Sequence, residues 1–260
     1  MENETQTQVN NQQKISTSTA IVIAGFLIMI GIIFSNGGGI PAVAKTLSEE
    51  VGVSKEKLNA CIKSMDLDTL SKNIDDSVNL AMSHIPRTDR GTPYSIVIGP
   101  NGFIADIRTG ANSYTNLKKI VDAAKQGKIA TEVISLPQKD GSTKEVTRNL
   151  SEIYTGKVVL PVEGEHTLGG KDAVINIVEY SDFECIYCKQ FHPVLEKLIN
   201  ESNGTIKWTY RHNPLHQGSF EKLVASECIA KIKGNDAFWE YSDLLFGLLK
   251  TGNESVSEKL

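Results

Sequence analysis

Cys185-Ile186-Tyr187-Cys188 stands at the junction of two segments with different periodicities, and no other feature of the chain narrows its fold as much. Before it, Val174–Tyr180 (VINIVEY) reads as a strand. From Cys185 to Ile199, apolar Tyr187, Phe191, Val194, Leu195 and Leu198 recur on one side of a helix. The pair therefore follows a strand and opens a helix. At that point free N–H groups and the helix dipole stabilise a thiolate on the first cysteine. Two intervening residues bring the second thiol round one turn, close enough to form a disulfide or to resolve a mixed one. Attack and resolution are the two steps of thiol–disulfide exchange. A half zinc site and a plain structural disulfide are the competing readings. Zinc needs four ligands and there is no second CxxC, so no metal is expected, and no cofactor beyond a Cys185–Cys188 disulfide.

The rest of the chain alternates helical and strand patterns. Ala42–Val51 reads as a short helix stopped by Gly52, and Ser54 caps a second with Leu58, Cys61, Ile62 and Met65 on one face. Leu70–Ile85 reads as a third, ended by Pro86. Tyr94–Ile98 and Phe103–Ile107 flank an Asn-Gly turn, a strong hairpin signal. Leu117, Ile120, Val121 and Ala124 mark a helix ended by Gly127. Residues 129–165 read as a polar linker with one or two short strands. Ile206–Tyr210 is a further strand, and Phe220–Lys233 and Ala237–Leu249 are helices, the second capped by Asp236.

The stretch Val178–Pro193 (VEYSDFECIYCKQFHP) resembles the active-site segment of DsbA-type thiol–disulfide oxidoreductases, which are thioredoxin-fold enzymes with an inserted helical subdomain. Trp208–Leu215 resembles their next strand and loop, and Ala225–Cys228 with Phe238–Tyr241 the first insertion helices. The later family elements stand earlier in this chain. Ala44–Ser64 resembles the later insertion helices, Gly91-Thr92-Pro93-Tyr94 the loop with a cis proline, and Ile98–Gly127 the closing hairpin and helix. The resemblance thus implies an α/β thioredoxin-like fold whose halves are circularly permuted. Residues 166–260 would be the half bearing the CxxC, 42–128 the other half, and 129–165 the join. Permutation is tolerated where termini lie close and loops are exposed. Remnants of two tandem domains, or halves paired between two chains, are the alternatives.

The same resemblance implies roles. Cys185 is the nucleophile and Cys188 the resolving thiol. Pro93 is the cis proline beside them, with the Thr92 backbone pairing to substrate chain. Glu179, six residues before Cys185, is the buried acid that moves protons to and from Cys188; an outward-facing glutamate is the plain alternative. His192 is expected to have no catalytic role. Ile186-Tyr187 departs from the Pro-His dipeptide of strongly oxidising members and offers no cation to the thiolate, which leaves the direction of electron flow open. Cys61 and Cys228 fall on apolar helix faces and are either a second disulfide or buried free thiols.

The N-terminus bears on location. Residues 1–14 are a polar tail, and Ile15–Phe34 follows as 20 residues without a charge. As a helix that run spans about 30 Å, the thickness of a bilayer core. An uncleaved anchor is expected, with 35–41 as spacer; a signal peptide cut after Ala42-Val43-Ala44 is the alternative. The tail is placed inside and the bulk of the chain in the extracytoplasmic space, where disulfides persist. The net charge of −4 argues against a nucleic-acid partner. The expected function is oxidation of cysteine pairs in secreted or periplasmic proteins, with a membrane redox partner for recycling. A reductase or isomerase, or a non-catalytic binding module, are the other readings.

Overall fold

The strand before the CxxC is the middle of the molecule. In the computed structural model, which describes residues 47–128, 131–137, 143–149 and 164–248, Ile175–Ser181 (here β6) is buried at six of its seven positions. A strand apolar on both faces must be covered on both. It lies at the centre of a five-stranded mixed sheet of order β2-β1-β6-β7-β5. β7 (Ile206–His212) runs parallel to it on one side, in register Ile175↔Ile206 to Ser181↔His212. β1 (Tyr94–Ile98), buried throughout, runs antiparallel on the other, with Tyr94 opposite Tyr180 and Ile98 opposite Asn176. β2 (Ile104–Thr109) and β5 (His166–Gly169) are the edges. Strands from before residue 110 and after residue 165 thus share one sheet, and the described residues belong to one compact unit. β3 (Thr131–Pro137) and β4 (Thr143–Asn149) form a separate antiparallel hairpin inside the stretch read as a linker.

Helices follow the periodicity with shifts at their ends. α1 (Lys55–Lys63) begins where Ser54 Oγ accepts from the Lys57 N–H. α2 covers Leu67–Ala81 rather than Leu70–Ile85, because Asp66 caps it through the Thr69 N–H and Met82 ends it before Pro86 is reached. The second hairpin strand begins at Ile104 rather than Phe103, since Pro100–Gly102 winds into a 3-10 turn closed by the Gly99 N–H to the Phe103 carbonyl. α3 (Tyr114–Lys125) packs on β1, β2 and α4 (Ile186–Asn200). α5 (Ser219–Lys233) packs against α1 and α6 (Asn235–Leu248). Asp236 lies inside the first turn of α6 instead of capping it. Asn235 precedes it and ties the helix to β5, accepting from the Thr167 N–H at 3.1 Å and donating to its carbonyl at 2.8 Å. The expected membrane segment, 15–34, lies outside the described residues; among those described, no helix is long and apolar enough to cross a membrane.

Cys61 of α1 and Cys228 of α5 form a disulfide, with Cα atoms 5.8 Å apart and a sequence separation of 167. A second tie lies nearby, where Lys233 Nζ donates to the Val51 carbonyl at 2.9 Å. A cross-link over so long a loop removes much of the unfolded chain's freedom. Replacing both cysteines with alanine should lower stability by about 2–4 kcal/mol. This is measured as a lower urea midpoint in the fluorescence of Trp208 and Trp239.

Candidate active site

Cys185 is the N-cap of α4, in extended backbone conformation, and is only 3% exposed. Its thiol lies 3.3 Å from the Thr92 carbonyl, to which it donates when protonated. Thr92 precedes a cis peptide bond to Pro93 and stands two residues before β1. The β1–β6 pairing brings these segments together, since Tyr94 pairs with Tyr180, five residues before Cys185. Cys188 is fully buried one turn into the helix. Both are free thiols.

The two thiols have opposite acidities. Cys185 is held down to about 5. The leading cause is the hydrogen bond from the Cys188 thiol, and the N–H groups of Cys188 and Tyr187 at the open helix end add to it against the cost of burial. Cys188 is pushed far above the ordinary thiol range, first by burial, then by committing its proton to Cys185, then by the charge of Glu179.

Glu179 is completely buried on β6. Its carboxylate accepts from Ser181 Oγ at 2.9 Å and from Trp208 Nε1 at 3.0 Å. Burial raises it to about 7; the His192 charge and the two hydrogen bonds oppose that rise without cancelling it. Cys185, Cys188, Thr92, Pro93 and Glu179 therefore converge on one region, drawn from β6, the start of α4 and the loop before β1.

Asp182, within the Val178–Pro193 stretch, organises this region. It is fully buried. It accepts from the N–H groups of Glu184 (2.8 Å), Leu215 (2.7 Å) and His216 (3.0 Å), from His216 Nδ1 (2.8 Å) and from Ser219 Oγ. Its carbonyl accepts from the Cys185 N–H at 3.0 Å. The turn before the CxxC is thereby bound to the loop after β7. Burial works against charge on His216, but the Asp182 hydrogen bond and carboxylate, with the charges of Cys185 and Glu184, outweigh it and raise its pKa. His216 thus takes a proton more readily than a free imidazole, in part through the Cys185 charge, whereas the CxxC dipeptide carries no basic side chain. The sequence signal was an aspartate three residues before a helix N-cap, recognisable only once the returning loop is placed.

His212 and His216 stand four apart, a spacing that on a helix would pair two metal ligands and that qualifies the expectation of no metal. Here they end a strand and enter a loop, and they bond different carboxylates. His212 Nε2 and His166 Nε2 each lie 2.9 Å from Glu227 Oε1, and these three could hold a cation. Neither cysteine of the CxxC belongs to that group.

Two pH dependences follow. A lowered thiol stabilises the reduced fold fully above its unfolded value of 9.0, and that contribution is lost as pH falls through about 5. Alkylation of the reduced protein should therefore modify Cys185 alone, with a half-maximal rate near pH 5, measured by mass-resolved labelling. A raised carboxyl acts oppositely: its contribution is whole below 4.5 and is lost as pH rises through about 7. Glu179→Gln should accordingly stabilise the fold by about 1–3 kcal/mol above pH 7 and by little below pH 4, read from urea unfolding at both pH values.

Comparison with known proteins places this region in context. A protein-family model described as thioredoxin matches residues 162–259. A Na(+)/H(+) antiporter NhaA 1 of Salinispora arenicola is 36% identical over 90 residues, covering 34% of this chain and 14% of the antiporter. A Na(+)/H(+) antiporter NhaA 1 of Mycolicibacterium gilvum is 33% identical over 95 residues, covering 35% and 15%. Disulfide bond formation protein D of Bacillus subtilis is 30% identical over 89 residues, covering 33% and 40%. The chain thus spans less than half the length of each of these relatives. No solved structure matches. The matched residues, with the mixed five-stranded sheet they help to build, are a thioredoxin-like domain.

Proposed function

We propose that the chain is a DsbA-type thiol–disulfide oxidoreductase that oxidises cysteine pairs in secreted or periplasmic proteins. The observation that carries this reading is the pairing of an acidic, helix-capping Cys185 with a buried, proton-holding Cys188, beside a Thr92 carbonyl at 3.3 Å. In the oxidised enzyme, a substrate thiolate attacks Cys185 Sγ. The Cys185–Cys188 bond breaks, and Cys188 leaves with the electron pair and takes a proton from Glu179. The substrate's second thiolate then attacks its own sulfur in the mixed disulfide and expels Cys185 as a thiolate. Two electrons and one sulfur-bound proton stay on the enzyme, and the substrate gains a disulfide.

The oxidising direction rests on Cys185. A thiolate stabilised to about pH 5 favours the reduced enzyme and makes its disulfide a donor. The raised His216 supports the same direction, and the similarity to a disulfide bond formation protein supports the activity class. Exchanged order of the domain halves, 166–260 before 42–128, is supported by the shared sheet and by the Cys61–Cys228 bond between them. Anchoring through residues 15–34, an extracytoplasmic site and a membrane partner that re-oxidises the pair complete the proposal.

The test is the reduction potential of Cys185–Cys188 in the full chain, by equilibration with glutathione and mass-resolved alkylation. A value between about −120 and −180 mV is expected. A value near −270 mV, roughly that of thioredoxin, would make the protein a reductant. Cys185→Ser should abolish exchange, and Cys188→Ser should trap mixed disulfides. A wild type that exchanges with nothing would leave a binding module.

A further inference from the structure

Three side chains able to ligate a metal meet at the β5 edge of the sheet, and thiol–disulfide exchange uses none of them. His166 opens β5, His212 ends β7 and Glu227 lies within α5. Both imidazoles aim Nε2 at the same carboxylate oxygen, Glu227 Oε1, each at 2.9 Å. The three donor atoms all lie within 4.8 Å of one another. Aromatic neighbours fix the two rings. His166 stacks on Phe238, with centroids 3.5 Å apart and planes 4° from parallel. His212 packs T-shaped against Tyr210 at 5.1 Å and Phe183 at 5.7 Å.

This convergence leaves a charge to balance. The Glu227 side chain is only 26% exposed, and among the described residues no lysine or arginine pairs with it. Carboxylates drawn away from water are paired or coordinate a metal, and a neutral imidazole is the commonest metal ligand. We propose that His166, His212 and Glu227 bind one divalent transition-metal ion, zinc by the donor set, which fastens the edge strand β5 to β7 and α5.

Two nitrogens and one oxygen suit zinc, whereas magnesium and calcium take oxygen ligands. Around a tetrahedral ion with bonds of about 2.0–2.2 Å, donors stand about 3.3–3.5 Å apart. Glu227 Oε1 must therefore withdraw from the imidazoles by about 0.5 Å, which rotation of its partly exposed side chain supplies. His166 and Glu227 both reach solvent, so a water completes the coordination as the fourth ligand. Each ring keeps its remaining proton on Nδ1 while Nε2 binds, and the ion undergoes no redox change. The gain goes to a short element. β5 has four residues, lies at the edge of the sheet, and is otherwise tied down by its ladder to β7 and by Asn235 and Trp239 bonding Thr167.

The experiment uses the full chain carrying Cys185→Ser and Cys188→Ser, so that the CxxC offers no thiolate to a metal. Zn²⁺ binding is measured by equilibrium dialysis, and Co²⁺ binding by the visible absorption of a tetrahedral site. One ion per chain is expected. Glu227→Gln and His166→Asn should each weaken it by more than about tenfold, since losing even an outer-shell partner costs roughly 10–100-fold. Asp243→Asn, in the separate group of His192, Glu196 and Asp243, should leave binding unchanged. Saturating Zn²⁺ should raise the urea midpoint of the parent chain and leave that of Glu227→Gln where it was. If Glu227→Gln does not fold, His166→Asn at the sheet edge decides the matter. The proposal is overturned by a parent chain that binds no ion, by a folded Glu227→Gln or His166→Asn that binds as tightly as the parent, by loss of the ion in Asp243→Asn, or by binding that leaves the parent's midpoint unmoved.

Discussion

The antiparallel ladder between β1 and β6 is the constraint on which the site depends. It pairs Tyr94 with Tyr180 and so sets the loop ending in Thr92 against the turn leading to Cys185. The two segments are more than eighty residues apart in sequence, so no local preference brings them together. Register is enforced by burial. All five β1 positions and six of seven in β6 are buried, and a slip of one residue would turn every side chain to the opposite face. It would also take Glu179 away from Trp208 and Ser181, the donors that make its burial tolerable.

Around that ladder the protein creates two opposite electrostatic environments within one short stretch. Cys185 sits where the helix exposes unpaired N–H groups, and its thiolate is favoured. Cys188 lies one turn deeper, where desolvation dominates, the Cys185 bond and the Glu179 charge add to it, and the Ser181 hydroxyl opposes it only in part. Depth along one helix thus separates the thiol that reacts as an anion from the thiol that keeps its proton. Asp182 preserves the separation by holding the turn still: five donors converge on its carboxylate, and they come from both sides of the site.

What the sequence made legible was periodic or local. The strand before the CxxC, the helix after it and the Ser54 cap each need only a few neighbouring residues to be recognised, and the structure contains all three. The features that escaped depend on distant partners. β5 is four residues long and finds its place by pairing with β7 and by Asn235 binding Thr167. Residues 129–165 were expected to hold one or two short strands, and two are present, but their pairing with each other and not with the main sheet shows only in the fold. Cys61 and Cys228 read equally as thiols or a disulfide until α1 and α5 are packed together. His192 read as a packed or solvated histidine without a catalytic role, and its burial beside Trp208 with Nε2 bonded to Asp243 shows only once α4 and α6 are packed.

These misses share a physical cause with the site itself. A buried carboxyl is unfavourable, and a chain retains it only where surrounding structure over-determines its position. The over-determination here comes from outside the active segment. The Cys61–Cys228 bond and the Lys233 contact to Val51 hold the helical layer, and the β1–β6 and β6–β7 ladders hold the sheet. Stability gained in these non-local contacts offsets the destabilisation concentrated at Glu179. Chemistry is therefore readable in the short motif, while the structure that makes the chemistry possible is spread over the rest of the domain.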